Sequence, residues 1–180
     1  ARDYSFYLAG GVHLYGGFAG TETTLAARDY ATNVTILSGD IGTANTTSDN
    51  CHHVVMSVNE STAGTLDGFT VTRGNANTMY GSLTVNSITI YRNYGGGMYN
   101  RSSSPSITNT TFTNNTATYG GGMYNVLSYS TITNSTISDN IAVSAGGGMY
   151  NTSSPTITNS TFSGNSSSGD GGGMFNNSSS

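Results

Sequence analysis

The sequence contains no lysine and no tryptophan, one cysteine and two prolines, and only 8% of its residues are charged. The single cysteine, Cys51, excludes a disulfide bond within the chain. No apolar run is long enough to predict a membrane-spanning helix, and the five arginines do not form the basic patch of a nucleic-acid-binding protein. We therefore expect neither membrane insertion nor a nucleic-acid partner.

Large apolar residues are also scarce, since Leu, Ile, Val and Phe together make up 31 of the 180 residues. So low a fraction is usual in disordered chains. Disordered chains combine it with a high net charge, whereas the formal net charge here is −4 at pH 7. We infer that the chain folds by placing its few apolar residues at the same positions of a repeated unit.

The sequence does contain a repeat. The tetrapeptide GGGM begins at Gly95, Gly120, Gly146 and Gly171, so that successive methionines lie 25, 26 and 25 residues apart. An aromatic residue and an asparagine follow each methionine, and isoleucine, phenylalanine and further asparagines recur in the same register. A period of this length predicts a solenoid, because the blade of a propeller needs about 40 residues.

Each repeat predicts three short β-strands separated by turns. Thr156, Ile157 and Thr158 alternate between polar and apolar, and two other segments of the repeat alternate likewise. The Gly, Asn and Ser residues between these segments favour turns. A coil of about 25 residues with three strands is the layout of a parallel β-helix, in which equivalent strands stack roughly 4.8 Å apart.

We predict a single domain over residues 1–180. Residues 66–180 should form regular coils, with strands at 67–72 and 83–90, and residues 1–65 should form irregular early coils with long loops. Asparagines at the turns should form hydrogen-bonded ladders along the axis. The predicted core consists of inward-facing ladder residues, namely Met123, Ile132, Ile137, Met149, Ile157 and Phe162.

The repeats resemble those of a known family. Glycines followed by an apolar residue, together with F-x-x-N at residues 112–115 and 162–165, are similar to the repeats of polymorphic outer-membrane proteins and related bacterial β-helix surface proteins. In the repeat between these two, Ile137 replaces the phenylalanine. The resemblance implies an all-β, right-handed parallel β-helix that is secreted or displayed at the cell surface and is often adhesive.

Residues that could carry out chemistry are few and scattered. The nine carboxylates form no cluster in register, whereas a β-helix enzyme that cleaves polysaccharides needs several acids on neighbouring coils. Cys51, His52 and His53 are metal-ligating types, but adjacent residues on a strand point to opposite faces. We expect no catalytic residue, no cofactor and no metal site. The alternative is a carbohydrate-active β-helix enzyme or a carbohydrate-binding module.

Two outward faces are candidate interaction surfaces. One is a regular array of threonines, such as Thr131 and Thr133, which makes ice binding a further alternative, although threonine is also an ordinary strand residue. The other is an aromatic row that could bind a surface carbohydrate or another protein. Its predicted members are Tyr80, Tyr99, Tyr124, Tyr150 and Phe175.

The ends of a β-helix present unpaired backbone groups that can accept another strand. Since no capping segment is apparent in the sequence, we expect copies to stack end to end into a fibre. The candidate contacts are Met174 and Phe175 at one end and Tyr4, Phe6, Val12 and Leu14 at the other. The predicted function is a non-catalytic extracellular structural or adhesive β-solenoid, with copies of itself as its main partner.

Overall fold

A computed structural model describes residues 2–78 and 81–177. The chain winds through successive coils, and each coil begins with a strand at the position of the repeated methionine. The first coil contains β1 (Phe6–Tyr7), β2 (His13–Tyr15) and β3 (Thr35–Ser38). The second contains β4 (Val55–Val58), β5 (Thr65–Asp67), β6 (Phe69–Thr72) and β7 (Asn75–Ala76). Two short 3-10 helices, Leu25–Ala27 and Thr47–Asp49, lie in the long early loops.

A hairpin of β8 (Ser82–Val85) and β9 (Ile88–Tyr91) separates the second coil from the third. The third coil contains β10 (Met98–Arg101), β11 (Ser106–Thr108), β12 (Thr111–Thr113) and β13 (Thr116–Tyr119). The fourth contains β14 (Met123–Val126), β15 (Thr131–Thr133), β16 (Thr136–Ser138) and β17 (Ile141–Ala145). The fifth contains β18 (Met149–Asn151), β19 (Thr156–Thr158), β20 (Thr161–Ser163) and β21 (Ser166–Ser167), and β22 (Met174–Asn176) follows it.

Equivalent strands of successive coils pair in parallel and form four sheets. Sheet A has the order β1-β4-β10-β14-β18-β22, and sheet B has the order β2-β5-β11-β15-β19. Sheet C has the order β3-β6-β12-β16-β20, and sheet D has the order β7-β13-β17-β21. This arrangement confirms the predicted parallel β-helix, and from the second coil onward sheet D adds a fourth short strand to the three predicted. Its inward residues, Ala117 and Ala142, are too small to give a clear apolar signal.

The core is a set of apolar ladders inside the coils. Met123, Ile132, Ile137 and Met149 are fully buried, as predicted. Ile157 and Phe162 are only partly buried, contrary to the prediction. They lie on β19 and β20, which are edge strands of sheets B and C, and each is therefore covered by an equivalent residue on one side only.

Asparagines, which are buried except at the last rung of each ladder, form two polar ladders beside the apolar ones, as expected. In the first ladder, the side-chain amide of each asparagine donates to the side-chain oxygen of the next at 2.7, 2.8 and 2.8 Å, in the order Asn100, Asn125, Asn151 and Asn176. In the second, Asn115 donates to Asn140 and Asn140 to Asn165, both at 3.0 Å. Because almost every amide finds a partner one coil away, buried polar groups strengthen the register of the coils.

The glycines of the GGGM segment permit two features of this backbone. Gly120 has a φ of 67°, which favours glycine because it has no Cβ. A Cβ on Gly121 would lie 2.5 Å from the carbonyl oxygen of Gly147 in the next coil. The repeat therefore needs glycine both to turn into sheet A and to let neighbouring coils approach closely.

The segment predicted as a solenoid strand at 83–90 is instead the antiparallel hairpin, so that prediction was wrong. Asn86 and Ser87 have φ values of 46° and 64° and form the two-residue turn between β8 and β9. The hairpin lies outside the coils and contributes Ile90 to a second buried apolar cluster against sheet A.

We predict that Ile132→Ala will lower the free energy of unfolding by about 2–5 kcal/mol, because it leaves a cavity between two coils. Ile132 pairs with Ile107 on one side and with Ile157 on the other. The matched control, Ile157→Ala, removes the same atoms from a half-buried site and should cost less. Urea unfolding followed by circular dichroism measures both changes, and equal losses would contradict the assigned core.

Candidate functional site

The aromatic row stacks along the outside of sheet A. Tyr99, Tyr124, Tyr150 and Phe175 are paired in register on β10, β14, β18 and β22. Successive ring centroids lie 5.3, 5.3 and 5.1 Å apart. Tyr80, which was also predicted in this row, lies outside the described residues.

The row is not the open surface that the sequence predicts. Tyr99 is fully buried and Tyr124 is 8% exposed, because the β8–β9 hairpin packs against this part of sheet A and the Tyr94 ring lies 4.7 Å from the Tyr124 ring. Burial raises the pKa of both hydroxyls. We therefore expect removal of the Tyr124 ring to destabilise the fold, which makes this residue unsuitable for a test of binding alone.

The ring planes also limit what the exposed end of the row can bind. Tyr124 and Tyr150 are inclined by only 18°, and Tyr150 and Phe175 by 30°. Their faces are turned toward each other along the axis, and the Tyr119 ring packs against Tyr150 from the side, with centroids 5.4 Å apart. A sugar that stacks on an aromatic ring needs a free ring face, so this geometry favours packing within the chain over sugar binding.

Most carboxylates hold loops in place. Three of them pair with arginines, namely Asp3 with Arg92, Asp40 with Arg73 and Asp67 with Arg28. Three accept hydrogen bonds from backbone amides: Glu22 and Asp29 within their own turns, and Asp49 from Thr43. Glu60 accepts a hydrogen bond from the Tyr7 hydroxyl. The Arg92 hydrogen bond lowers the pKa of Asp3, and backbone amides lower the pKa of Glu22, Asp29 and Asp40. A general acid needs a pKa shifted the opposite way.

Cys51, His52 and His53 are all buried where the second coil begins. His53 Nδ1 lies 3.0 Å from the carbonyl oxygen of Gly95, and its ring packs edge-on against Tyr99 with centroids 5.3 Å apart. Burial lowers the pKa of His53 to about 4 and raises the pKa of the Cys51 thiol to about 12. Within the described residues, no group of three or more His, Cys, Asp or Glu side chains could hold a metal ion.

The buried His53 should make the fold sensitive to mild acid. Its folded pKa lies below the unfolded value of about 6.5, so the unfolded chain takes up the proton first and stability falls as the pH drops from about 6.5 to 4. The loss should approach about 3 kcal/mol for His53, and burial of His52 shifts its pKa in the same direction. Unfolding curves between pH 7 and 4.5 measure the loss.

His53→Gln should flatten this pH dependence, whereas His13→Gln, at an exposed position, should leave it unchanged. Stability that stays constant from pH 7 to pH 4.5 would contradict the assignment.

The predicted end contacts lie on two different sheets. Tyr4 and Phe6 are 80% and 48% exposed beside β1, at one edge of sheet A. Met174 and Phe175 are half-buried on β22, at the other edge of the same sheet. Val12 is 42% exposed, and Leu14 lies on β2, at the edge of sheet B. The structure therefore separates Val12 and Leu14 from the other four residues.

A groove beside sheet C was missed by the sequence analysis. It has a volume of about 340 Å³ and lies between the loop that carries Tyr30 and the outward threonines of β6, β12 and β16. The loop belongs to no repeat, so no periodicity marks it. The available signal was a tyrosine in a polar segment too long for a turn.

Parallel sheets wound as coils with ladders in register define a β-solenoid. The sequence matches the family model of the right-handed β-helix region over residues 74–180, which is more than half of the chain. The chain therefore belongs to the right-handed β-helix family. No curated protein and no solved structure matches the sequence. Among the described residues, no helix has the length and apolar character needed to cross a membrane.

Proposed function

We propose that the chain is a non-catalytic extracellular structural or adhesive β-solenoid that stacks end to end on copies of itself. The observation that carries this proposal is the match between the two outer strands of sheet A. Phe6 on β1 and Met174 on β22 occupy one row of the sheet, which runs through Val55, Met98, Met123 and Met149. A second copy can therefore add its β1 beyond β22 without a change of register.

The charges in this register are complementary. Arg2 precedes Phe6 by four residues, and Asp170 precedes Met174 by four residues, so the junction brings Arg2 of one copy opposite Asp170 of the next. Asp170 is exposed. Arg2 donates to the carbonyl oxygens of Asn50 and Asn75 at 2.6 and 2.8 Å, which holds its guanidinium at the β1 end of the solenoid.

Burial of apolar surface favours the same contact. Tyr4 and Phe6 are exposed at the β1 end, and Met174 and Phe175 are half-buried at the β22 end. Covering a large apolar side chain stabilises an interface by roughly 1.5–3 kcal/mol. Several such side chains meet at one junction, so sheet A can support an association driven mainly by apolar burial.

The sheets also determine the length of each step in the fibre. Sheet A has six strands, so each copy should advance the fibre by about 29 Å at roughly 4.8 Å per strand. Sheet B has five strands and therefore leaves one rung unfilled at each junction. Val12 and Leu14 face that open rung, and the proposed contact consists of Tyr4, Phe6, Met174 and Phe175.

A non-catalytic role is supported by the way the carboxylates are used. Seven of them bind arginines, backbone amides or a tyrosine hydroxyl, and four have pKa values below their ordinary range. The extracellular location is supported by the resemblance of the repeats to those of bacterial surface proteins.

We expect electron microscopy of the concentrated protein to show fibres with an axial repeat of about 29 Å. Asp170→Arg should abolish them, because it places two cations at each junction, and the added change Arg2→Asp should restore them. Arg2→Asp alone should also fail to assemble, but an equimolar mixture of the two single variants should form fibres in which they alternate, since every junction between unlike variants pairs a cation with an anion. Circular dichroism checks that each variant is folded.

A protein that stays monomeric in light scattering at its solubility limit would refute end-to-end stacking. Fibres that persist in Asp170→Arg would refute this junction. Release of reducing ends from neutral or acidic polysaccharides would favour the alternative of a carbohydrate-active enzyme.

A further inference from the structure

The groove beside sheet C has a lining that suits one class of ligand. On one side stand Tyr30 and Val34, and on the other stand Asn109, Thr111, Asn134 and Thr136. None of the residues that line the groove carries a charge. Its volume of about 340 Å³ lies within the range of small-molecule sites. A neutral ligand with many hydroxyl groups matches this lining better than an anion or a cation.

We propose that this groove binds a neutral linear saccharide, with Tyr30 as the ring on which one sugar unit stacks. This inference goes beyond the proposed end-to-end stacking and does not depend on it.

Tyr30 differs from the aromatic row in the feature that sugar stacking requires. Its side chain is 42% exposed, and among the described residues no other aromatic ring packs on it. A tyrosine ring offers an apolar face to the C–H groups of a sugar and a hydroxyl to its oxygens. In the row on sheet A, by contrast, the ring faces are turned toward each other.

The opposite wall repeats along the solenoid axis, as a polymer of identical units does. Thr70, Thr111 and Thr136 pair in register on β6, β12 and β16, which are spaced roughly 4.8 Å apart. Asn109 and Asn134 recur beside them in the same left-handed conformation, with φ values of 49° and 50°. Hydroxyl and amide groups at a fixed spacing can bind consecutive sugar units that run parallel to the axis.

The two walls are tied together before any ligand binds. Arg28, at the base of the Tyr30 loop, pairs with Asp67 at 2.9 Å and packs over the Tyr15 ring at 5.0 Å. The other oxygen of Asp67 accepts from the side-chain amide of Asn109 at 2.9 Å. This chain of contacts orients the side-chain oxygen of Asn109, Oδ1, as an acceptor for a sugar hydroxyl. A preorganised site loses less conformational entropy when a ligand binds.

The loop also lies as close to the coils as its backbone allows. A Cβ on Gly17 would lie 2.8 Å from the backbone of Tyr30. Gly17 has a φ of 89°, which favours glycine. This close approach holds the Tyr30 backbone against the first coil, from which the ring projects.

The test is titration calorimetry with cellohexaose, mannohexaose and chitohexaose as neutral probes and hexagalacturonate as the acidic one. We expect at least one neutral hexasaccharide to bind. Tyr30→Ala should weaken that binding by about tenfold or more, and Tyr30→Phe, which keeps the ring, by about threefold at most. Thr136→Val, on the opposite wall, should weaken it by about threefold to tenfold.

Tyr129→Ala is the matched control, because Tyr129 is 68% exposed and does not line the groove. It should bind as the unaltered protein does, and so should Asp170→Arg, which separates sugar binding from stacking. No binding of any neutral probe, unchanged binding by Tyr30→Ala, or tighter binding of hexagalacturonate than of the neutral probes would each overturn the proposal.

Discussion

Parallel pairing in register between strands one coil apart is the constraint on which the rest of this structure depends. It places Met98, Met123 and Met149 in one buried row and stacks each ladder asparagine on the next. A slip of one residue would turn every inward side chain outward. Long insertions are therefore accommodated between strands, where the Tyr30 loop and the β8–β9 hairpin lie, and a single extra residue is accommodated as a register shift between β13 and β17.

The sequence was sufficient for the fold because the signal is repeated. A three-residue strand such as Thr131–Thr133 carries little information by itself, but four copies of GGGM at one spacing establish which residues stack. The fourth strand, which is present from the second coil onward, was missed because alanine is its main inward residue. The hairpin was misassigned because alternation is the same in a solenoid strand and in a hairpin, and only Asn86 and Ser87 indicate the turn.

The interaction surfaces were harder to predict, since exposure depends on contacts between distant segments. The sequence placed Tyr99 in the correct row, but its burial results from a hairpin that has no counterpart in the other coils. Tyr30 was missed for a different reason, because the segment around it belongs to no repeat. Its place beside sheet C results from the pairing of Arg28 with Asp67, two residues 39 positions apart. A contact of this kind produces no periodic pattern in the sequence.

The side-chain amides of the first asparagine ladder all point the same way along the solenoid axis. Each side-chain NH₂ from Asn100 to Asn151 points toward the later coil, and each acceptor oxygen points back. The aligned amide dipoles add, with the positive end beside Asn176 and the negative end at the Asn100 oxygen, which has no partner among the described residues. Flipping one amide would set two like ends against each other on both sides. The orientation of every amide is thus a collective property, and the ladder acts as one row of aligned dipoles along the solenoid axis.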